Sequence, residues 1–261
     1  MIILKGFPIK KELLVKVKEE IKNKSLSFKI LLDESFPQSV SYVNMITKLL
    51  TQLEIPYELY NVTYTEKDFD YLKNVGDSCT IVARPLKQDE DKYLSYIKPE
   101  NDVDMVSLDN IGQLYLGNLN FLPATSMAVK LIVEHYNIEL TGKKVMVLGR
   151  SVSVGLPCFM YFQRKNATVT LCHSRTKRED IEKIARDSDI IVLATGKQNL
   201  IPRECFNDKQ IVIDCGYNEN GLGDLGFVPE DNELYAYTPV PGGVGPLTII
   251  SLVINALYLK K

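Results

Sequence analysis

The sequence predicts an α/β fold built on parallel sheet. Three observations carry that expectation. Apolar runs of strand length alternate with amphipathic stretches of helix length along nearly the whole chain. From residue 144 onward the apolar runs are almost unbroken, the pattern of strands covered by helices on both faces. One of those runs ends in a small-residue turn that opens a helix.

The elements follow in order. Residues 9–23 place Leu13, Leu14, Val17 and Ile21 among lysines and glutamates, which predicts an amphipathic helix. Residues 28–32 read as a short strand. Val40, Val43, Ile46, Leu50 and Leu53 recur at helical spacing over 38–53. A strand over 57–62, a helix over 66–74, a strand over 80–83 and a short helix over 89–97 complete a first β/α layer unit. A second unit begins near residue 123. It has a helix over 125–137, a strand over 144–148, a helix near 155–165 and a strand over 167–172. A helix over 178–186 and strands over 190–194 and 210–214 follow. Residues 247–258 are almost wholly apolar and predict a closing helix.

Composition excludes several classes of function. A formal net charge of −2 provides no basic field for nucleic acid or an anionic membrane. The first residues turn polar at once, unlike a signal peptide, and no run reaches the roughly 18 apolar residues that span a bilayer. The expectation is a cytoplasmic protein. The cysteines, at 79, 158, 172, 205 and 215, are odd in number and show no Cys-x-x-Cys spacing, which reads as reduced thiols rather than a zinc site or a disulfide framework. His135 and His173 are the only histidines, so neither a histidine-based triad nor a metal site is expected.

The motif with the clearest chemistry is Val145-Met146-Val147-Leu148-Gly149-Arg150-Ser151-Val152-Ser153-Val154-Gly155. A strand, a turn with little side-chain bulk and a helix N-terminus are what a dinucleotide pyrophosphate needs. Ser151 and Val154 stand where the second and third glycines of the usual fingerprint would be, so an ordinary tight βα turn is the alternative. The following strand ends at Cys172-His173-Ser174-Arg175-Thr176-Lys177. An acid at such a strand end would bind the ribose 2′-hydroxyl of NAD. Here a hydroxyl and cations stand instead, which suits the 2′-phosphate of NADP. The alternative is a solvated basic loop. Ala194-Thr195-Gly196-Lys197 fits a turn near the nicotinamide half.

With those motifs in place, the chain resembles the bifunctional methylenetetrahydrofolate dehydrogenase/cyclohydrolase (FolD) family. The matching stretches are Gly149-Arg150-Ser151 with Val154-Gly155 and Pro157, Ala194-Thr195-Gly196-Lys197, Val212-Ile213-Asp214-Cys215-Gly216, and Gly223-Asp224. The most specific is Thr238-Pro239-Val240-Pro241-Gly242-Gly243-Val244-Gly245-Pro246-Leu247-Thr248. The resemblance implies a Rossmann-like NADP-binding domain, residues 123–246, inserted into an α/β folate-binding catalytic domain of residues 1–122 and 247–261. It implies a tetrahydrofolate derivative as substrate and a homodimer. It puts Gly149, Arg150, Ser151, Val154, Gly155, Ser174, Arg175, Thr195 and Gly196 at the cofactor, with Arg150 and Ser174 facing the 2′-phosphate. It puts Tyr42, Asp104, Pro241, Gly242 and Gly243 at the substrate, Tyr42 and Asp104 with catalytic roles. A carboxylate such as Asp104 can accept two hydrogen bonds from an amino-pyrimidinone edge.

The first half departs from the family pattern. The family helix reads Ser-x-x-Tyr-Val-x-x-Lys; here Ser39, Tyr42 and Val43 match, and Ile46 takes the lysine position. Lys48 lies about 200° around the helix from it. The family strand ends Val-Gln-Leu-Pro-Leu-Pro; here it is Val82-Ala83-Arg84-Pro85-Leu86-Lys87, so Ala83 replaces the glutamine. Asp102-Val103-Asp104 matches Asp-Val-Asp-Gly with Met105 in place of glycine. Leu122-Pro123-Ala124-Thr125 matches Leu-x-Pro-Cys-Thr only in part.

Hydride transfer asks the protein to position two ligands and stabilise a delocalised cation. Hydrolysis of the methenyl product also needs an acid/base group, which isoleucine cannot supply. The expectation is therefore an NADP-dependent methylenetetrahydrofolate dehydrogenase with weak or lost cyclohydrolase activity. The alternatives are a bifunctional enzyme, with Lys48, Arg84 or another group in place of the lysine, and a non-catalytic folate- or nucleotide-binding paralogue.

Overall fold

The computed structural model describes residues 1–218 and 220–260. Nine strands and nine α-helices are formed among the described residues: β1 (Ile2–Ile3), α1 (Gly6–Ile21), β2 (Phe28–Leu32), α2 (Pro37–Gln52), β3 (Tyr57–Asn61), α3 (Glu66–Lys73), β4 (Cys79–Val82), α4 (Glu90–Ser95), α5 (Leu108–Tyr115), α6 (Ala124–His135), β5 (Lys144–Leu148), α7 (Gly155–Arg164), β6 (Thr168–Cys172), α8 (Arg178–Asp187), β7 (Ile190–Leu193), β8 (Ile211–Asp214), β9 (Ala236–Tyr237) and α9 (Gly245–Leu259). Two sheets result, each wholly parallel.

The chain divides into two compact units. One comprises Leu13–Ala124 with Ile249–Lys261, the other Met1–Glu12 with Thr125–Thr248. The first twelve residues fall with the second unit, where the sequence reading grouped them with the first. Their strand explains this: β1 pairs with β9, Ile2 opposite Ala236 and Ile3 opposite Tyr237. A two-residue strand is too short to carry a periodicity, so nothing in the sequence announced it.

The larger sheet has the order β1-β9-β8-β7-β5-β6. All residues of β7 and all but the first of β5 and β8 are buried. Edge strand β6 alternates with partial exposure. The sheet is wound in opposite directions from β5, with β6 on one side and β7 on the other. A crevice opens beyond the strand ends at such a switch point.

The smaller sheet has the order β3-β2-β4. Leu31, Phe69, Leu72, Val82, Tyr93 and Ile97 form a core in this unit. The buried Asp68 carboxylate holds it from inside. It accepts hydrogen bonds from Thr63 Oγ1 (2.6 Å), Tyr64 N (2.7 Å), Tyr93 OH (2.6 Å) and Tyr60 OH (2.9 Å). Among the described residues, no helix is long and apolar enough to cross a membrane.

Candidate functional site

In the larger sheet the candidate residues gather at the switch point. Leu148, the last residue of β5, lies between Cys172 of β6 and Leu193 of β7. The turn 149–154, the 173–177 loop and the 194–197 loop therefore leave the sheet side by side. Gly149 has φ +124°, and a Cβ there would fall 2.1 Å from the carbonyl oxygen of Ala194. A Cβ on Gly155 would fall 2.1 Å from the Gly149 carbonyl oxygen. The two glycines are what let the turn pack this tightly. Of the two residues that break the usual fingerprint, Ser151 is exposed and Val154 half-buried. The Ser151 hydroxyl accepts from Val154 N (3.2 Å) and Gly155 N (3.4 Å), capping α7. The N–H groups of Val152 and Ser153 find no acceptor among the described residues. Buried Ser126 braces the turn from below, donating toward the carbonyls of Ser153 (3.3 Å) and Val154 (3.2 Å).

Arg150, Ser174 and Arg175 are exposed. Thr176 Oγ1 accepts from His173 N (3.0 Å), and His173 Nδ1 accepts from Arg175 N (3.2 Å), folding the 173–177 loop. No carboxylate precedes Glu179 there. Thr195 and Gly196 are fixed through their N–H groups by the Asp224 carboxylate.

Pro241, Gly242 and Gly243 belong to this same unit. Gly6 N donates to the Gly242 carbonyl (2.8 Å), Gly243 N donates to the Pro239 carbonyl (2.7 Å), and Gly242 has φ +110°. The sequence reading grouped these three residues with Tyr42 and Asp104, which belong to the other unit.

In the smaller-sheet unit, Tyr42 comes from α2 and Asp104 from the loop before α5; both are half-buried. Arg84 leaves the end of β4, half-buried and 3.9 Å from Glu90. Burial pushes the Asp104 carboxyl up to about 6. The Ala124 N–H (3.1 Å) and the Arg84 charge oppose that rise, while Asp102 adds to it. Burial, with the Asp104 charge, also raises the Tyr42 hydroxyl, against Arg84. Asp102 itself is a structural anchor, accepting from Val106 N (3.0 Å), Ser107 N (2.8 Å) and Asn110 Nδ2 (2.9 Å).

Ile46 and Ala83, at the altered family positions, are buried in the core. Lys48 is exposed, on a helix face shared with Ser41, Asn44 and Met45. Met105 has φ +52° and is buried, in the position where the family pattern has glycine. Among the described residues, no group of acidic, histidine or cysteine side chains could hold a metal ion.

Sequence reasoning assigned no role to Ser126, Asp214, Asp224 or Asn255. Asn255 of α9 donates through Nδ2 to the carbonyls of Val103 and Leu122, both at 2.8 Å, and so holds the backbone just before Asp104 and just before Ala124. An asparagine inside an apolar helix was the visible signal. For the aspartates it was the Gly-Asp pair at 223–224 and the acid closing β8.

Residues 123–261 match the family described as tetrahydrofolate dehydrogenase/cyclohydrolase, NAD(P)-binding domain. The bifunctional protein FolD of Acetivibrio thermocellus is 35% identical, over 96% of this chain and 95% of that one. Among solved structures, the bifunctional FolD methylenetetrahydrofolate dehydrogenase/cyclohydrolase of Campylobacter jejuni superposes with a TM-score of 0.91 at 30% identity, covering 100% of this chain and 98% of that one. The Trypanosoma brucei methylenetetrahydrofolate dehydrogenase-cyclohydrolase, complexed with NADP cofactor and inhibitor, does so with a TM-score of 0.91 at 29% identity, covering 99% and 97%.

Proposed function

This chain belongs to the tetrahydrofolate dehydrogenase/cyclohydrolase family, and from that premise we propose that it is an NADP-dependent 5,10-methylenetetrahydrofolate dehydrogenase whose cyclohydrolase step is weak or lost. One observation carries the reading: the lysine position of the family is a buried isoleucine, and the cation acting on both Tyr42 and Asp104 is Arg84. A guanidinium stays protonated at neutral pH, so it can balance charge but cannot exchange a proton with water and substrate. Lys48 is on an exposed face.

The residues fit the cofactor. The unit of Met1–Glu12 and Thr125–Thr248 is proposed as its domain and the other unit as the folate domain. The pyrophosphate would lie over Gly149 and Gly155, where added side-chain atoms would collide with backbone, with the Val152 and Ser153 N–H groups as donors. Ser151 and Val154 would shape the turn; Arg150, Ser174 and Arg175 would take the 2′-phosphate. Thr195 and Gly196 would border the nicotinamide, which when bound accepts the hydride. On the folate side Asp104, once ionised, would accept hydrogen bonds from the pterin, with Tyr42 against the ring system. Pro241, Gly242 and Gly243 would offer backbone close to the substrate. The reading includes a homodimer in the cytoplasm, which sedimentation and fractionation can check.

The test mixes purified protein with methylenetetrahydrofolate and NADP and follows reduced cofactor and methenyl-folate together. Equal accumulation of both is expected. Accelerated decay of added methenyl-folate would restore the bifunctional reading that the relatives' names carry. NADP binding without turnover would leave a binding paralogue. Arg150→Ala is expected to weaken NADP about tenfold more than NAD, since it removes one charge-assisted contact to the 2′-phosphate. Equal losses would remove that assignment.

A further inference from the structure

Two buried carboxylates, Asp214 and Asp224, stand beside the proposed nicotinamide loop, and the proposed reaction uses neither. Asp214 closes β8 and accepts N–H donors from Gly216 (2.8 Å), Asp224 (3.0 Å) and Leu225 (2.8 Å). Its own N–H donates to Thr238 Oγ1 at 2.7 Å. A Cβ at Gly223 would fall 2.2 Å from Asp214 Oδ2, so the 222–225 loop is drawn against the strand end. That fixes Asp224.

Asp224 then grips the loop after β7. Its Oδ2 accepts from Thr195 N (2.6 Å), Thr195 Oγ1 (2.9 Å) and Gly196 N (2.9 Å). Its main-chain carbonyl accepts from Asn199 N at 3.1 Å. Four hydrogen bonds from the 195–199 segment thus converge on one residue. From the other side, the Ala194 carbonyl is packed against Gly149. Among the described residues, Asp224 Oδ1 is buried without a partner. An orphaned buried acceptor is costly, so this carboxylate is placed for its Oδ2 contacts rather than for its own satisfaction.

We propose that Asp224 is a positioning residue for the nicotinamide half of the dinucleotide, setting the Thr195–Gly196 backbone through Oδ2 with Asp214 as its anchor. It touches no reacting atom. Its effect is on the placement of the hydride acceptor, to which transfer rates are steeply sensitive. The assignment rests on reading this crevice as the NADP site.

The experiment compares NADP with adenosine 2′,5′-bisphosphate, which has the phosphorylated ribose but no nicotinamide. Dissociation constants for both, and kcat with methylenetetrahydrofolate, are measured on wild type, Asp224→Ala, Asp224→Asn and Thr195→Val. Asp224→Ala is expected to weaken NADP about tenfold and to lower kcat, while the bisphosphate binds as before. Asp224→Asn, whose amide oxygen can face the same three donors, should restore most of the loss. Thr195→Val removes a single hydroxyl, and keeps the test open if the alanine variant does not fold; it should weaken NADP by about threefold and spare the bisphosphate. Parallel loss of both ligands, or no loss of either, would overturn the assignment alone. Wild-type protein that binds neither ligand would overturn the dinucleotide reading and this assignment with it.

Discussion

Asp104 is a carboxyl whose burial outweighs a nearby guanidinium, and its ionisation near pH 6 sets when it can act. Only the carboxylate accepts two hydrogen bonds from a pterin edge. The expected kcat/KM for methylenetetrahydrofolate therefore falls tenfold per pH unit below about 6, where an ordinary aspartate would hold until about 4. Rates measured from pH 5 to 8 check this, and a flat profile down to pH 5 would remove Asp104 from substrate recognition. Met105 presents two opposed terms. Its left-handed backbone costs roughly 1–2 kcal/mol. Full burial of its side chain contributes roughly 1.5–3 kcal/mol. Burial wins, so Met105→Gly, though it relieves the backbone, is expected to lower stability by about 1 kcal/mol in urea unfolding.

At the scale of elements, α9 does more than close the chain. Asn255 donates to two buried carbonyls, and a buried carbonyl costs about 1–3 kcal/mol when stranded. Asn255→Leu should destabilise by about 2–4 kcal/mol and raise the folate KM, because the Asp104 loop loses its tie. A rise in KM is the telling outcome; a Tm drop with unchanged KM would confine Asn255 to stability.

The long elements were legible because burial imposed a period: α2, α3, α8 and the four central strands β2, β5, β7 and β8 stand within a few residues of their predicted spans. What escaped were β1 and β9, two residues each, and α5, whose Leu108 and Tyr115 are exposed and form no inward stripe. The tight turn after β5 was readable from Gly149 and Gly155, since close backbone packing demands glycine. The carboxylates at 214 and 224 were not, because an aspartate bound to distant N–H groups has the same local sequence as one in a surface loop.

For the molecule as a whole, the raised and lowered carboxyls pull stability in different pH windows. Asp104 and Asp214 both sit at about 6, above their unfolded value, chiefly through burial. The folded state then holds more protons than the unfolded one between pH 4 and 6, so stability falls as pH rises through that window. Asp33 and Asp68 have the opposite sign. Burial opposes them, but hydroxyl and N–H donors prevail and lower both, so their contribution is present above pH 4 and lost on further acidification. Calorimetry from pH 3 to 7 should find the highest Tm between about 4 and 5, and Asp104→Asn should flatten the decline toward 6. A Tm still rising from pH 5 to 7 would show that other groups dominate.

The interleaving of the two units has a consequence for how the protein is made. Each unit is built from two separate stretches of chain. The edge strand β1 must wait for β9, and the unit that holds β2 to β4 must wait for the tail of α9. Synthesis from the N-terminus therefore cannot deliver one finished unit before starting the other. Until α9 has been made, the Val103 and Leu122 carbonyls lack Asn255 as their donor, a wait that a string of independent domains would not impose.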